Sequence, residues 1–148
     1  MALSLQKLII ALLVSFNALI NYGGEAASVV KSPTVLVSHK NGQITVELAQ
    51  TPASQQQGLS GRASLGVNQG MLFIFDQDGQ RQFWMKEMNF PLDIIWLNKE
   101  GQILGIATAV ATSTYPAPIL SPGPIRQVLE VNAGYAQKYG LTIGDFIR

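Results

Sequence analysis

A mainly β domain, an antiparallel sandwich or partly closed barrel with two short helices, is the fold this sequence predicts. Three observations predict it. Short β-branched and aromatic runs (TVLVS, QITVEL, MLFIF, LDIIWL, RQVLEV) recur along the chain. Turn residues, among them Asn41-Gly42, Asp78-Gly79 and Glu100-Gly101, separate those runs at the spacing of antiparallel all-β domains. Only two segments carry the chemistry that starts or stops a helix.

The elements follow in order. Residues 34–38 and 43–48 are strands, and Asn41-Gly42 between them predicts a type I′ hairpin turn, whose central residues both need positive φ. Thr51-Pro52 opens a helix with threonine as N-cap and proline at the first helical position. Gly58 interrupts it within two turns and Gly61 follows closely. From Gly70 the pattern is a meander: strand 71–75, a turn at Asp76-Gln77-Asp78-Gly79, strand 81–86, a connection over 87–91, strand 92–97, a turn at Asn98-Lys99-Glu100-Gly101, and strand 102–110. Residues 111–124 hold four prolines and no period, which predicts an irregular loop of a length that is often functional. Residues 126–131 return to strand. Asn132 is placed to cap a helix over 133–139, ended by Gly140 with Leu141 in the usual hydrophobic contact. Residues 144–148 make a last short strand, and no internal repeat is present.

The N-terminus reads as an export signal. MALSLQK gives a short n-region with Lys7 as its cation, and residues 8–20 form an apolar h-region. Cleavage after Ala26 puts Gly24 and Ala26 at the two positions that must be small. The expected organisation is a signal peptide over 1–26, a linker over 27–33 and one domain over 34–148. The apolar stretch is shorter than the about 20 residues that span a bilayer, so the membrane is a partner only where this segment stays uncleaved. No cysteine follows the h-region, which excludes a lipoprotein. With no cysteine at all, packing must hold the fold together even in an oxidising compartment. Formal net charge is +1 and the cations are scattered, so no basic stripe exists for nucleic acid.

Several motifs in order carry a family resemblance. They are Thr51-Pro52 with Gly58-Leu59 and Arg62, Gly70-Met71-Leu72-Phe73, Phe83-Trp84-Met85-Lys86, Pro91-Leu92-Asp93-Ile94-Ile95, Val128-Leu129-Glu130-Val131, Gly134, and Gly140-Leu141 with Gly144-Asp145. Together they resemble the bacterial and archaeal family called domain of unknown function 192, over residues 44–148. The resemblance implies a compact β fold of the jelly-roll or sandwich type, often behind a signal peptide, and no assigned activity. Two departures stand out. The family usually has methionine where this chain has Ser60, and Asn-Thr where it has Glu87-Met88.

Five residues are candidates for a ligand site: Arg62, Trp84, Lys86, Asp93 and Glu130. On a strand Trp84 and Lys86 share a face, where an aromatic floor beside a cation suits sugars or anions. The bland alternative makes Lys86 a solvated edge residue. Asp93, at the head of an apolar run, needs water or a partner, with Lys86, Arg62 and Arg126 available. Glu130 should face with Val128. Were Asp93 and Glu130 to converge, they would form the acid–base pair of a polysaccharide hydrolase or transferase, with Arg62 or Lys86 orienting substrate. His39, the only histidine, reads as a solvated turn residue; with no cysteine, neither a zinc site nor any other cofactor is indicated. Asp76-Gln77-Asp78-Gly79 lacks the distal glutamate of a calcium loop, and no phosphate-cradling glycine loop occurs. No catalytic constellation is complete, so the sequence leaves open whether the protein is an enzyme. The expected role is an exported (periplasmic or extracellular) β-domain binding a small ligand, a glycan or an envelope protein. The rival is the hydrolase. A third reading is an accessory subunit whose loop over 112–124 contacts another protein through an apolar patch around Tyr115 and Ile119 to Leu120.

Overall fold

A computed structural model describes residues 32–148. The expected signal peptide and residues 27–31 of the linker lie outside the described residues. Eight strands and two short helices follow in the order β1 (Thr34–His39), β2 (Gly42–Ala49), α1 (Pro52–Gln57), β3 (Gln69–Gly79), β4 (Gln82–Phe83), β5 (Leu92–Leu97), β6 (Ile103–Val110), β7 (Ile119–Leu120), β8 (Ile125–Asn132) and α2 (Tyr135–Lys138). Six of the strands form one open sheet in the order β1-β2-β3-β8-β5-β6, and β4 pairs with β7 in a separate ribbon. The fold is mainly β with two short helices, as the sequence predicts, and the sheet is not closed into a barrel.

All pairings in the large sheet are antiparallel except β2 with β3, which run parallel. A parallel step needs a crossover connection, and α1 with the 58–68 segment supplies it. Thr51 caps α1 through a reciprocal box with Ser54, whose N–H donates to Thr51 Oγ1 at 3.1 Å.

The two faces of the sheet bury separate apolar layers. Val37, Ile44, Leu72, Ile95, Leu129 and Val131 pack on one side against Tyr135, Ala136, Leu141 and Ile147. Met71, Phe73, Ile94, Trp96 and Val128 pack on the other against Leu59, Leu65 and Met85. All six residues of β5 are therefore buried, and its run reads as continuous rather than alternating because both faces lie inside.

Several local expectations shift. The β1–β2 loop is Lys40-Asn41, with His39 paired to Gly42, and neither loop residue has positive φ. Gly42 answers a demand for room: a Cβ there would lie 3.2 Å from the His39 ring and 3.3 Å from that of Tyr139. His39 is buried, not solvated, with Nε2 2.9 Å from Tyr135 Oη, and burial lowers its pKa. The Asp76–Gly79 turn belongs to a longer β3, and β4 shrinks to two residues. Asn132 ends β8 and does not cap α2; its amide donates to the Leu65 and Gly66 carbonyls at 3.0 and 3.1 Å. The proline loop is not wholly irregular, since it contributes a 3₁₀ turn at Thr112–Thr114 and the strand β7. Residues 144–148 form no strand; Phe146 bridges Gln102, and Arg148 exchanges backbone hydrogen bonds with Ser38.

Candidate functional site

The site is built on one row of cross-strand neighbours. Glu47 of β2 stands opposite Met71 of β3, Met71 opposite Glu130 of β8, and Glu130 opposite Ile94 of β5. Directly paired residues share a face, so both glutamates rise into the layer beneath α1 and the ribbon. Arg62, on the segment after α1, forks onto Glu47 with Nη1 to Oε1 and Nη2 to Oε2, the second at 2.9 Å. Its charge also acts on Glu130. Arg62 and Glu130 therefore come together, in company with Glu47.

Glu130 is only 5% exposed, and its carboxyl makes no hydrogen bond among the described residues. Burial raises its pKa to about 8, against a smaller downward pull from Arg62. At neutral pH it is mostly the uncharged acid.

Above Glu130 lies a cavity of about 360 Å³, bounded by α1 on one side and the ribbon on the other. Gln55, Gln56 and Gln57 present amides from the helix, Arg81 and Gln82 line the opposite wall, and Phe73 and Phe83 meet edge-to-face at 4.9 Å. A second hollow of about 250 Å³ shares Gln56, Gln57, Ser60 and Trp84 with the first and adds Lys86 and Glu87. Trp84 stands at this common wall, 52% exposed. A tryptophan that large is normally more buried.

The 84–86 segment is not a strand, yet its expected inside–outside pattern holds. Met85 is buried while Trp84 and the Lys86 side chain are about half exposed. The chain is pinned here to the segment after α1. Ser60 Oγ donates to the Lys86 carbonyl at 2.9 Å, the Gly61 N–H to that of Glu87 at 2.9 Å, and Asn89 Nδ2 to that of Arg62 at 2.8 Å. Among the described residues Lys86 pairs only with its neighbour Glu87, at 3.9 Å on the surface, a contact of little energetic weight.

Glu87 has φ of 55°, a left-handed conformation that costs most L-residues about 1–2 kcal/mol and that asparagine tolerates. The asparagine usual in the resembled family thus has a backbone reason at this position. Glu87→Asn should raise stability by about 0.5–1 kcal/mol, read as a higher urea midpoint at unchanged slope. A neutral or negative result would show that the turn carries no strain.

Asp93 does not join the site. It is paired with Val131 while its neighbour Ile94 pairs with Glu130, so the two carboxyls project from opposite faces of the sheet. None of the cations suggested by the sequence reaches Asp93, and Arg126 instead donates to Asp78 at 2.7 Å. Asp93 accepts the backbone N–H groups of Ala109 and Ala136 at 2.8 and 2.9 Å. The acid–base pair expected for a hydrolase is therefore not assembled.

Sequence reasoning missed Glu47, Arg81 and the α1 glutamines. An acid inside the QITVEL run was a usable signal for Glu47. Nothing in the sequence placed α1 opposite β4. Of the loop residues suggested as a protein contact, Tyr115 and Leu120 are exposed, while Ile119 is half-buried against the core.

The family model DUF192, described as "Uncharacterized ACR", matches residues 34–148. Among solved structures the chain is similar to a proposed transcription regulator from Sinorhizobium meliloti 1021, at 32% identity and a TM-score of 0.76, covering 80% of this chain and 95% of that one. It is also similar to a protein of unknown function from Novosphingobium aromaticivorans DSM 12444, at 32% identity and a TM-score of 0.72, covering 82% of this chain and 89% of that one. No curated protein matches.

Proposed function

We propose that this chain, which belongs to the DUF192 family, is an exported binding domain that takes a small, hydroxyl-rich ligand of the glycan kind in the cavity between α1 and the β4–β7 ribbon. The observation that carries this reading is Glu130, a carboxyl buried without a hydrogen bond at the floor of an open cavity. Its oxygens are not fully enclosed, since among the described residues the fully enclosed side-chain polar atoms without a partner are Arg81 Nε alone. They open onto the cavity, where a ligand hydroxyl can hydrogen-bond them. The half-exposed Trp84 at the rim adds the flat apolar surface on which a sugar ring packs. Amides of Gln56 and Gln82, which make no hydrogen bonds among the described residues, complete a lining of uncharged donors and acceptors.

Nucleic acid stays outside this reading, although one structural neighbour is described as a regulator. Three cations are already matched with acids, Lys40 with Asp145, Arg62 with Glu47 and Arg126 with Asp78, and phosphate recognition wants a free basic stripe. Export rests on the N-terminal signal pattern.

The test is a glycan panel titrated into ¹⁵N-labelled protein, following the indole N–H signals of Trp84 and the buried Trp96. A binding sugar should move the Trp84 signal first. Trp84→Ala should weaken that ligand by about tenfold or more, the worth of a stacked aromatic, while stability changes by no more than about 0.5 kcal/mol, as for other exposed sites. A panel that leaves Trp84 and Glu130 unmoved, or binding indifferent to Trp84→Ala, would refute the pocket.

A further inference from the structure

We infer that the ligand of this cavity is a sugar acid, its carboxylate held by Arg81 and one of its hydroxyls by Glu130. This deepens the binding reading above and rests on it. The reason is a second unspent polar group lining the same cavity. Arg81 Nη2 donates to the Gln77 carbonyl at 2.8 Å, but Nε is buried with no acceptor, and Nη1 makes no hydrogen bond among the described residues. The guanidinium lies 4.2 Å from the centre of the Phe75 ring. Its backbone is fixed as well, because the Arg81 N–H donates to Ser121 Oγ at 2.9 Å and the Ser121 N–H to the Arg81 carbonyl at 2.8 Å. The enclosed Nε is out of a ligand's reach, but the Nη1–Nη2 end keeps donors to spare, and such a held end suits a carboxylate, which accepts two parallel hydrogen bonds from it.

The charges around Glu130 agree. From β2 it faces Glu47, and from the segment after α1 it faces Arg62, whose fork Glu47 already occupies. Arg81 is the cation of the facing wall, α1 offers only uncharged glutamines to the cavity, and β3 and β5 present Met71, Phe73 and Ile94. Asp93 is on the other face of the sheet. Arg62 and Glu47 cancel and Glu130 is mostly uncharged at neutral pH, which leaves Arg81 as the net charge of the cavity. An anion that also carries hydroxyls engages both the Arg81 Nη donors and the Glu130 carboxyl; a neutral sugar lacks the charge for Arg81, and an amine opposes it.

The sign of the pH dependence follows. Above about 8, Glu130 ionises and repels the bound carboxylate. Affinity for a sugar acid should be flat between about 5, where the ligand carboxylate is fully ionised, and that value, and fall by about tenfold for each unit above it.

The experiment titrates the full-length protein with glucuronate and, separately, with glucose, by calorimetry and by the Trp84 indole signal. Glucuronate should bind about tenfold or more tightly than glucose, the margin of a charge-assisted pair. Arg81→Gln should remove that preference, and Arg81→Lys, which keeps the charge without the planar fork, should retain part of it. Glu130→Gln should make glucuronate binding independent of pH. Equal binding of the two sugars, or a glucuronate preference that survives Arg81→Gln, overturns the sugar-acid inference and leaves the pocket standing. Binding of neither, with Trp84 unmoved across the whole glycan panel, overturns both.

Discussion

Asp93→Ala is expected to cost about 3–5 kcal/mol, a large share of the roughly 5–15 kcal/mol that holds a domain of this size together. The residue is fully buried and solves two problems at once. Leu92 pairs with Val110 but Ile94 with Ala107, so Thr108 and Ala109 together oppose Asp93 in a bulge. Ala109 carries the extra residue in a left-handed conformation, φ 49°, and its N–H goes to Asp93 Oδ1. On the other side α2 begins at Gly134, which has no side chain with which to cap it. The Ala136 N–H is satisfied instead by Asp93 Oδ2, reaching over from β5. Alanine would leave the Ala136 N–H buried and unpaired and would take the acceptor from the part-buried Ala109 N–H that holds the bulge. Asp93→Asn keeps one acceptor of the two and should lose about half as much. Urea denaturation followed by circular dichroism measures both, and a loss below about 1 kcal/mol for alanine would contradict the tethering role.

Glu130→Gln should act in the opposite direction. The folded-state pKa of about 8 lies above the ordinary 4.5, so from pH 4.5 upward the unfolded chain releases a proton that the folded chain retains. Stability is full below about 4.5, falls steadily as pH rises, and levels off beyond about 8. At 1.36 kcal/mol per unit, the decline reaches on the order of 3 kcal/mol by pH 7. Glutamine mimics the uncharged acid and removes the slope, so the variant should match the parent near pH 4.5 and exceed it at neutral pH. Melting temperatures across this range would check it, and parallel curves for the two proteins would sink it. Asp145 sets a separate acid limb. The Lys40 ammonium and then the Thr142 backbone and hydroxyl hold its pKa at about 2, so its contribution is lost only as pH falls from about 4 toward that value.

The buried acid also explains a preference in the design of the site. Removing Glu130 would make the domain more stable at neutral pH, yet the chain keeps an unpaired carboxyl where an apolar residue would pack. Destabilised groups of this kind concentrate where a protein binds something.

Much of this architecture was legible from residue order. The Thr51-Pro52 helix start, the Gly58 stop and the LDIIWL strand depend on local chemistry and on hydrophobic runs, and they fall where the sequence places them. The family was legible for the same reason, since its motifs are strung along the chain. Glu130 facing with Val128 followed from strand alternation alone, and both do lie in the layer beneath the ribbon.

What the sequence could not supply was relative placement. Alternation gives the parity of residues within one strand, but not the parity of one strand against the next, which depends on register. Asp93 and Glu130 are separated by that single fact: pairing Ile94 rather than Asp93 with Glu130 sends the two carboxyls to opposite faces. The same holds for the parallel β2–β3 step, which carries α1 across to face β4 and so creates the cavity, and for β7, which emerges from a proline-rich loop only because β4 offers it an edge. Propensity, periodicity and turn chemistry act between near neighbours, so the sequence by itself determined the elements, the class and the family. Register and crossover are settled by contacts between residues far apart in the chain, and only the tertiary structure decided which candidate residues share a site.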